Sequence, residues 1–284
     1  MKNLPCRLDR LEQLICYLNK DSGVIISDDK QGFLHVGMHQ KCRGLMRIHF
    51  GDERYVFTSM AFGLTSAPSV YQGNQSPNSL KHLYNFELFS GCNNVIASLL
   101  RQYGIPNVLY IDDRAVVVND EVDYLGWLVP SLSTSTGHFL SLGKSNLTEK
   151  QTVFVYLGIE FDLPREKIRV PEKRKIKIKD LLSDLLSNLN CIPFHSLERL
   201  RGKLISILIV CPLAKLYIRE MNRVLAEHEA QLSEVIKSDL ALEMELRQWQ
   251  QNPIMLDHEN DLHRHGEIDL IPVNGKIDGE YMTG

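Results

Sequence analysis

The chain has 284 residues, 44% hydrophobic and 24% charged, and its 32 Lys and Arg stand against 35 Asp and Glu for a net charge of −3. That is the composition of a globular protein with a sizeable core, and it excludes collagen-like and wholly disordered chains. It also excludes a globally basic nucleic-acid binder, so any such role must rest on a local patch. In chain order, Leu8, Leu11, Leu14, Ile15 and Leu18 recur at spacings of three and four and predict a helix over residues 5 to 19, broken at Asp21-Ser22-Gly23. Val24-Ile25-Ile26 predicts a short buried strand that stops at Asp28 and Asp29. Leu45 to Phe50 and Tyr55 to Thr58 predict a hairpin across Gly51-Asp52. Pro68 is placed to open a helix through Val70 and Tyr71, and Gly73 to Cys92, rich in Asn, Ser and Gly, predicts a loop or insertion. Asn94 to Tyr103 predicts a helix capped by Gly104.

Val108 to Ile111 and Ala115 to Val118 predict two strands flanking Asp112-Asp113-Arg114, a hairpin with carboxylates at its tip. Val153 to Phe161 predicts one further strand, interrupted at Gly158. From Glu172 onward the pattern turns helical. Helices are expected over Lys173 to Leu189, over Leu197 to about Val210 with Ser196 as cap and Pro212 as bend, over Leu216 to His228, and over Leu232 to Gln250. Residues 254 to 284 carry seven acids against two bases and predict a poorly ordered tail. Six Cys without a C-x-x-C pair point to reduced thiols and an intracellular protein, without resolving cytoplasm from nucleus. The longest apolar run, Leu204 to Ala214, is about half a membrane span and contains Pro212, so no membrane partner is expected.

The chemistry concentrates in acids at strand ends. An acid ending an apolar strand is rigid and partly desolvated, which costs free energy unless a cation or donors compensate it. Asp28 ends one such strand, and Asp112 and Asp113 sit at a hairpin tip. Converging carboxylates can bind two divalent ions about 3.5–4 Å apart, and hard oxygen ligands suit Mg²⁺. Two acids in a hairpin are equally what an ordinary polar turn presents, and the sequence alone does not bring Asp28 to Asp112. His258, His263 and His265 have no partnered Cys and do not read as a metal site.

Tyr110-Ile111-Asp112-Asp113 between apolar strands resembles the YxDD motif of reverse transcriptases. Ser27-Asp28-Asp29-Lys30-Gln31-Gly32-Phe33 resembles their first palm motif, and Met60 to Pro68, MAFGLTSAP, resembles the PFGL-x-SAP segment of retroelement enzymes. Leu142-Gly143-Lys144-Ser145 followed by Tyr156-Leu157-Gly158-Ile159 resembles their Lys motif and LG primer grip, in the family's order. Leu200-Arg201-Gly202-Lys203 is similar to the thumb-side region of retroelement polyproteins of DIRS or gypsy type. The resemblance covers about residues 5 to 250. It implies an α+β right-hand polymerase: a palm with partial fingers over 1–165, a helical thumb and connection over 166–252, and a tail over 253–284.

It further implies an RNA-directed DNA polymerase acting on an RNA or DNA template with primer and dNTPs. Asp28, Asp112 and Asp113 would hold two Mg²⁺, with Mn²⁺ as substitute, and Lys144 would be a catalytic proton donor near the pyrophosphate. Phe33 would gate the sugar, Phe62 and Gly63 would border the nucleotide, and Leu157 and Gly158 would position the primer end. The residue readings beside these roles are a core aromatic, a tight turn, a solvated Lys and a strand bulge. Residues 144 to 180 hold ten Lys and Arg against six acids, and Lys173, Arg174, Lys175, Lys177 and Lys179 are the expected phosphate contacts. The chain departs from the pattern at Gln31, Ala61, Arg114 and the Gly73 to Cys92 segment. Only 27 residues precede Asp28 here, where the family's finger strands carry nucleotide-clamping cations, so a decayed or co-opted remnant that binds nucleic acid without polymerising is the competing expectation. Arg43 and Arg47 are the nearby candidates to supply those cations.

Overall fold

The computed structural model describes residues 8–63, 92–119, 122–231, 235–252 and 254–262. The expected Pro68 helix and nearly all of the Gly73 to Cys92 segment lie outside the described residues. The chain divides into two compact units, residues 1–152 and 153–284.

The first unit begins with α1 (Leu11–Tyr17), which buries Leu14 and Ile15 and is shorter than its periodicity predicts. The expected Val24 strand is β1 (Gly23–Asp28). A 3-10 turn (Gly32–His35) and α2 (Gln40–Arg43) follow, then β2 (Arg47–Phe50) and β3 (Glu53–Val56), paired across Gly51-Asp52 as predicted. Next come α3 (Cys92–Gln102), β4 (Asn107–Tyr110), β5 (Asp113–Val118), α4 (Val122–Ser135) and β6 (Asn146–Gln151). The strands form one antiparallel sheet in the order β4-β5-β1-β6. Ile25, Val116 and Val118 pack against Ile96 and Leu100 of α3 and Leu125 and Val129 of α4, which is the core of this unit.

Helix α4 is absent from the elements predicted above. Its apolar residues, Val122, Leu125, Leu128, Val129 and Leu132, do follow helical spacing. Gly126 and Pro130 disguise it. A Cβ at Gly126 would lie 2.1 Å from the carbonyl oxygen of Leu147, so the glycine is what lets α4 lie against β6.

The second unit holds β7 (Val153–Tyr156), β8 (Ile159–Asp162) and β9 (Lys167–Arg169). The expected single strand from Val153 to Phe161 is therefore two, turned back at Leu157 and Gly158 with Phe154 stacked on Phe161 at 4.9 Å. Helix α5 (Glu172–Ser187) buries Ile178, Leu182 and Leu185. β10 (Ile192–Pro193) leads into α6 (Phe194–Ile205), which starts ahead of the expected Ser196 cap and buries Leu197, Leu200 and Leu204. Pro212 opens a 3-10 segment (Pro212–Ile218) that continues into α7 (Arg219–Gln231). The helix expected from Leu232 starts later, because Val235–Ile236, strand β11, pairs with β10. Helix α8 (Leu240–Gln251) is capped by the Asp239 carboxylate, which accepts from the Leu242 N–H at 2.9 Å. Buried Glu245 on α8 accepts from the N–H groups of Glu220 and Met221 at 2.9 Å each, satisfying donors in the first turn of α7.

The start of the expected tail is ordered. Helix α9 (Ile254–Asp257) and β12 (Glu259–Asp261) continue the unit, and β12 adds to β9 to complete a sheet ordered β12-β9-β8-β7. The acids there meet cations: Asp257 with Lys175, Glu259 with Arg169, and Asp261 with Lys167.

Candidate active site

Asp28 and Asp113 are direct cross-strand partners on β1 and β5. Residues opposite each other in an antiparallel pair present their side chains on one face, so both carboxylates share a face, away from Ile25 and Val116. Tyr110 pairs with Asp113 on the other side, which leaves Ile111-Asp112 as the two-residue turn between β4 and β5. Ile111 sits at φ 58°, a left-handed conformation that strains a β-branched residue. The Asp112 carbonyl accepts from the Asp29 N–H at 3.0 Å, which ties the turn to the end of β1.

The three acids feel one another. Asp113 is pushed up to about 6, first by burial, then by the charges of Asp112 and Asp28 and by a hydrogen bond shared with the Asp28 carboxyl. Asp112 is raised as well, by burial foremost and then by the charges of Asp28 and Asp29. Lys144 reaches this cluster: its Nζ lies 3.3 Å from Asp28 Oδ2 although its side chain is 71% exposed. Its loop is fixed by two bonds to Asp28, from the Asp28 N–H to Ser145 Oγ at 3.0 Å and from the Ser141 N–H to the Asp28 carbonyl at 2.7 Å.

The expected first-motif acid, YxDD acids and Lys thus meet in one place. The donor set is all carboxylate oxygen and short of positive charge, the chemistry that suits a hard divalent cation. Among the described residues no three His, Cys, Asp or Glu side chains form a ready-made metal cage. Phosphate and water oxygens would have to complete the coordination, as they do for Mg²⁺ generally.

Phe33 and Phe62 also come together, with ring centroids 5.2 Å apart. Backbone bonds from Met60 N–H to Val36 carbonyl and from Met38 N–H to Thr58 carbonyl, 2.8 Å each, lay the MAF segment beside the 3-10 turn. Gly63 follows at φ 87°. Arg43, a candidate nucleotide clamp, is turned to its own neighbourhood, Nε donating to the Met38 carbonyl at 3.1 Å, whereas Arg47 lies on the fully exposed β2.

Leu157 and Gly158 belong to the second unit, at φ 49° and 77°, the two positive values of a tight hairpin turn. Arg174 crosses this turn, donating from Nη1 to the Gly158 carbonyl at 2.7 Å and reaching Ser206 Oγ. So Arg174 is a structural clasp, and Lys175 is engaged by Asp257 at 2.8 Å and Glu172 at 3.5 Å. Two of the expected phosphate contacts are therefore already partnered. A different cluster remains: Lys203 is pulled below its ordinary value by burial first and then by the charges of Arg199, Arg174 and Lys177. Arg199 was not among the expected contacts, and its i,i+4 spacing to Lys203 on a helix was the available signal.

Sequence reasoning also missed a buried group beside the acids. His138 Nδ1 lies 3.6 Å from Asp29 Oδ2, both side chains 2% exposed, and the His35 ring stands edge-on to His138 at 5.1 Å. Burial and the neighbouring His138 lower the His35 pKa against the opposite pull of Asp29. No local spacing signals this contact, because its members come from distant segments.

No family model matches the chain, and no curated protein matches it in sequence. Solved structures do match its backbone. A foamy viral protease-reverse transcriptase in complex with an RNA/DNA hybrid superposes with a TM-score of 0.60 at 15% identity, over 91% of this chain and 30% of that one. The fold is reverse-transcriptase-like. Two further structures of foamy viral protease-reverse transcriptase, in complex with double-stranded DNA, match with a TM-score of 0.57 at 15% identity, over 39% and 47% of their chains. The chain spans less than half the length of each of these neighbours. Among the described residues no helix is long and apolar enough to cross a membrane.

Proposed function

We propose that the chain is a template-directed nucleotidyl transferase, an RNA-directed DNA polymerase domain whose acids are Asp28, Asp112 and Asp113. The observation that carries this reading is the mutual crowding of those three carboxylates beside Lys144, at the ends of paired strands in a reverse-transcriptase-like fold. Two Mg²⁺ ions, or Mn²⁺, held by these acids would activate the primer 3′-hydroxyl and neutralise the leaving pyrophosphate. The chain's own residues do the rest. Lys144 hands a proton to the pyrophosphate. Phe33, braced by Phe62, closes the space a 2′-hydroxyl would need. Leu157 and Gly158 position the primer end, and Lys177, Arg199 and Lys203 supply sequence-independent phosphate contacts.

The test is primer extension by the purified chain with Mg²⁺ and dNTPs. Extension that Asp112→Asn reduces about 10³-fold or more would support the reading. Phe33→Ala should in addition raise ribonucleotide incorporation. A second reading, nucleic-acid binding without polymerisation, is favoured by Arg43, a candidate nucleotide clamp, whose Nε is engaged by the Met38 carbonyl. Salt-sensitive primer-template binding with no extension in Mg²⁺ or Mn²⁺ would establish that reading instead.

A further inference from the structure

A cavity of about 630 Å³ opens at the end of the first unit's sheet remote from the acids. Its position follows from topology. Ser22 precedes β1, Pro106 precedes β4 and Asn119 follows β5, whereas the acids sit at the other ends of these strands. Six residues of strand separate the two ends by roughly 15–20 Å.

Helices α3 and α4 form the walls through aliphatic side chains such as Leu99, Leu128 and Leu132. The walls are pinned by backbone bonds, from the Ile105 N–H to the Leu100 carbonyl and from the Val117 N–H to the Pro106 carbonyl, 2.9 Å each. Three tyrosines, Tyr17, Tyr103 and Tyr124, stand at 40%, 76% and 58% exposure and line the cavity. Asn19 gives one wall a fixed polar group, since its Oδ1 accepts from the N–H groups of both Asp21 and Ser22 at 2.9 Å. Among the described residues no charged side chain lines the cavity.

We infer that this cavity is a binding site for an uncharged, flat aromatic small molecule, separate from the acid cluster. Its volume lies within the roughly 300–1,000 Å³ of sites that enclose small ligands, and it has their composition, mostly apolar with a few placed polar groups. Aromatic faces at the lining favour a ring over an aliphatic chain. With no cation among the described lining residues, a nucleotide or other phosphate ester would find no counter-charge there, which favours an uncharged occupant. The occupant is therefore chemically unlike the substrates of the acid cluster.

Indole is a suitable probe, with indole-3-carboxylate as its charged counterpart. Indole should bind the full chain saturably, and at ten times its dissociation constant should raise the unfolding midpoint by about 2–6 °C. Leu128→Trp, which fills the cavity, should abolish the shift. Tyr103→Ala removes an exposed ring with little effect on folding and should weaken binding about tenfold. The carboxylate should bind at least tenfold more weakly than indole. No saturable shift with indole, equal binding of the carboxylate, or an unchanged shift in both variants would overturn the inference. Midpoints and affinities are read without primer or dNTP, so the outcome is independent of whether the chain polymerises.

Discussion

The turn at Ile111-Asp112 and the turn at Leu157-Gly158 join antiparallel strands with two residues each, and their chemistry is opposite. In the first, a β-branched residue occupies a left-handed conformation while acids crowd the tip, raising one another. In the second, Gly158 takes the larger positive φ, and Arg174 lays a guanidinium across the turn's carbonyl oxygens. Both turns hold a non-glycine residue at positive φ, Ile111 and Leu157, but only the Leu157-Gly158 turn has a cation across it, and the Ile111-Asp112 turn leaves its acids crowded. Strain and like charge persist where surrounding structure over-determines them, which is why the Ile111-Asp112 turn rather than the Leu157-Gly158 turn is the one the proposed function rests on.

The largest way to break the comparison is chemical. If the proposed function holds, Asp28→Asn should reduce primer extension by about 10³-fold or more while leaving the far-ultraviolet circular dichroism spectrum intact, because the carboxylate would act on the metal-bound substrate. Next in size is Gly158→Ala. A Cβ there would meet Arg174 Nη1 at 2.1 Å, at a φ that an L side chain dislikes. The expected cost is about 2–3 kcal/mol by thermal unfolding, and adding Arg174→Ala should recover its steric part.

Smaller, and opposite in sign, is Asp113→Asn. The Asp113 carboxyl titrates near 6 in the fold, above its ordinary 3.8, so its stabilising effect is present below 3.8 and is lost as pH rises through 6. The parent should therefore lose stability between pH 4 and pH 7, and the Asn variant should lose less. At pH 7 the variant should be more stable by about 1–2 kcal/mol, after discounting the shift for partial exposure. Smallest is Ile111→Gly, in which relief of strain is offset by the freedom glycine gains in the unfolded chain. A net gain of under about 1 kcal/mol in denaturant unfolding is expected.

What the sequence disclosed was local. The acids, the Gly51-Asp52 turn and the YxDD hairpin are each written within a few consecutive residues, and the structure forms both hairpins, with the second turn moved to Ile111-Asp112 so that Asp113 and Arg114 fall in β5 and not at the tip. Contacts across long separations were hidden. Arg174 counts as one more base in a basic run until Gly158, sixteen positions away, is seen to claim it. The acids at 257, 259 and 261 suggest a solvated tail until Lys175, Arg169 and Lys167 are seen opposite them. Helix α4 was hidden for a different reason: Gly126 and Pro130 are breakers by propensity, and packing against β6 overrides them.

The anchoring of Asp28 to Ser145 spans 117 positions. During synthesis at about 5–20 residues per second, β1 leaves the ribosome many seconds before the loop that fixes its end. Until then Asp28 has neither Ser145 at its N–H nor Lys144 at its carboxylate. The acidic centre is thus assembled by one of the latest contacts of the first unit to close, and a nascent chain ending ahead of Ser145 carries the acids without that anchor.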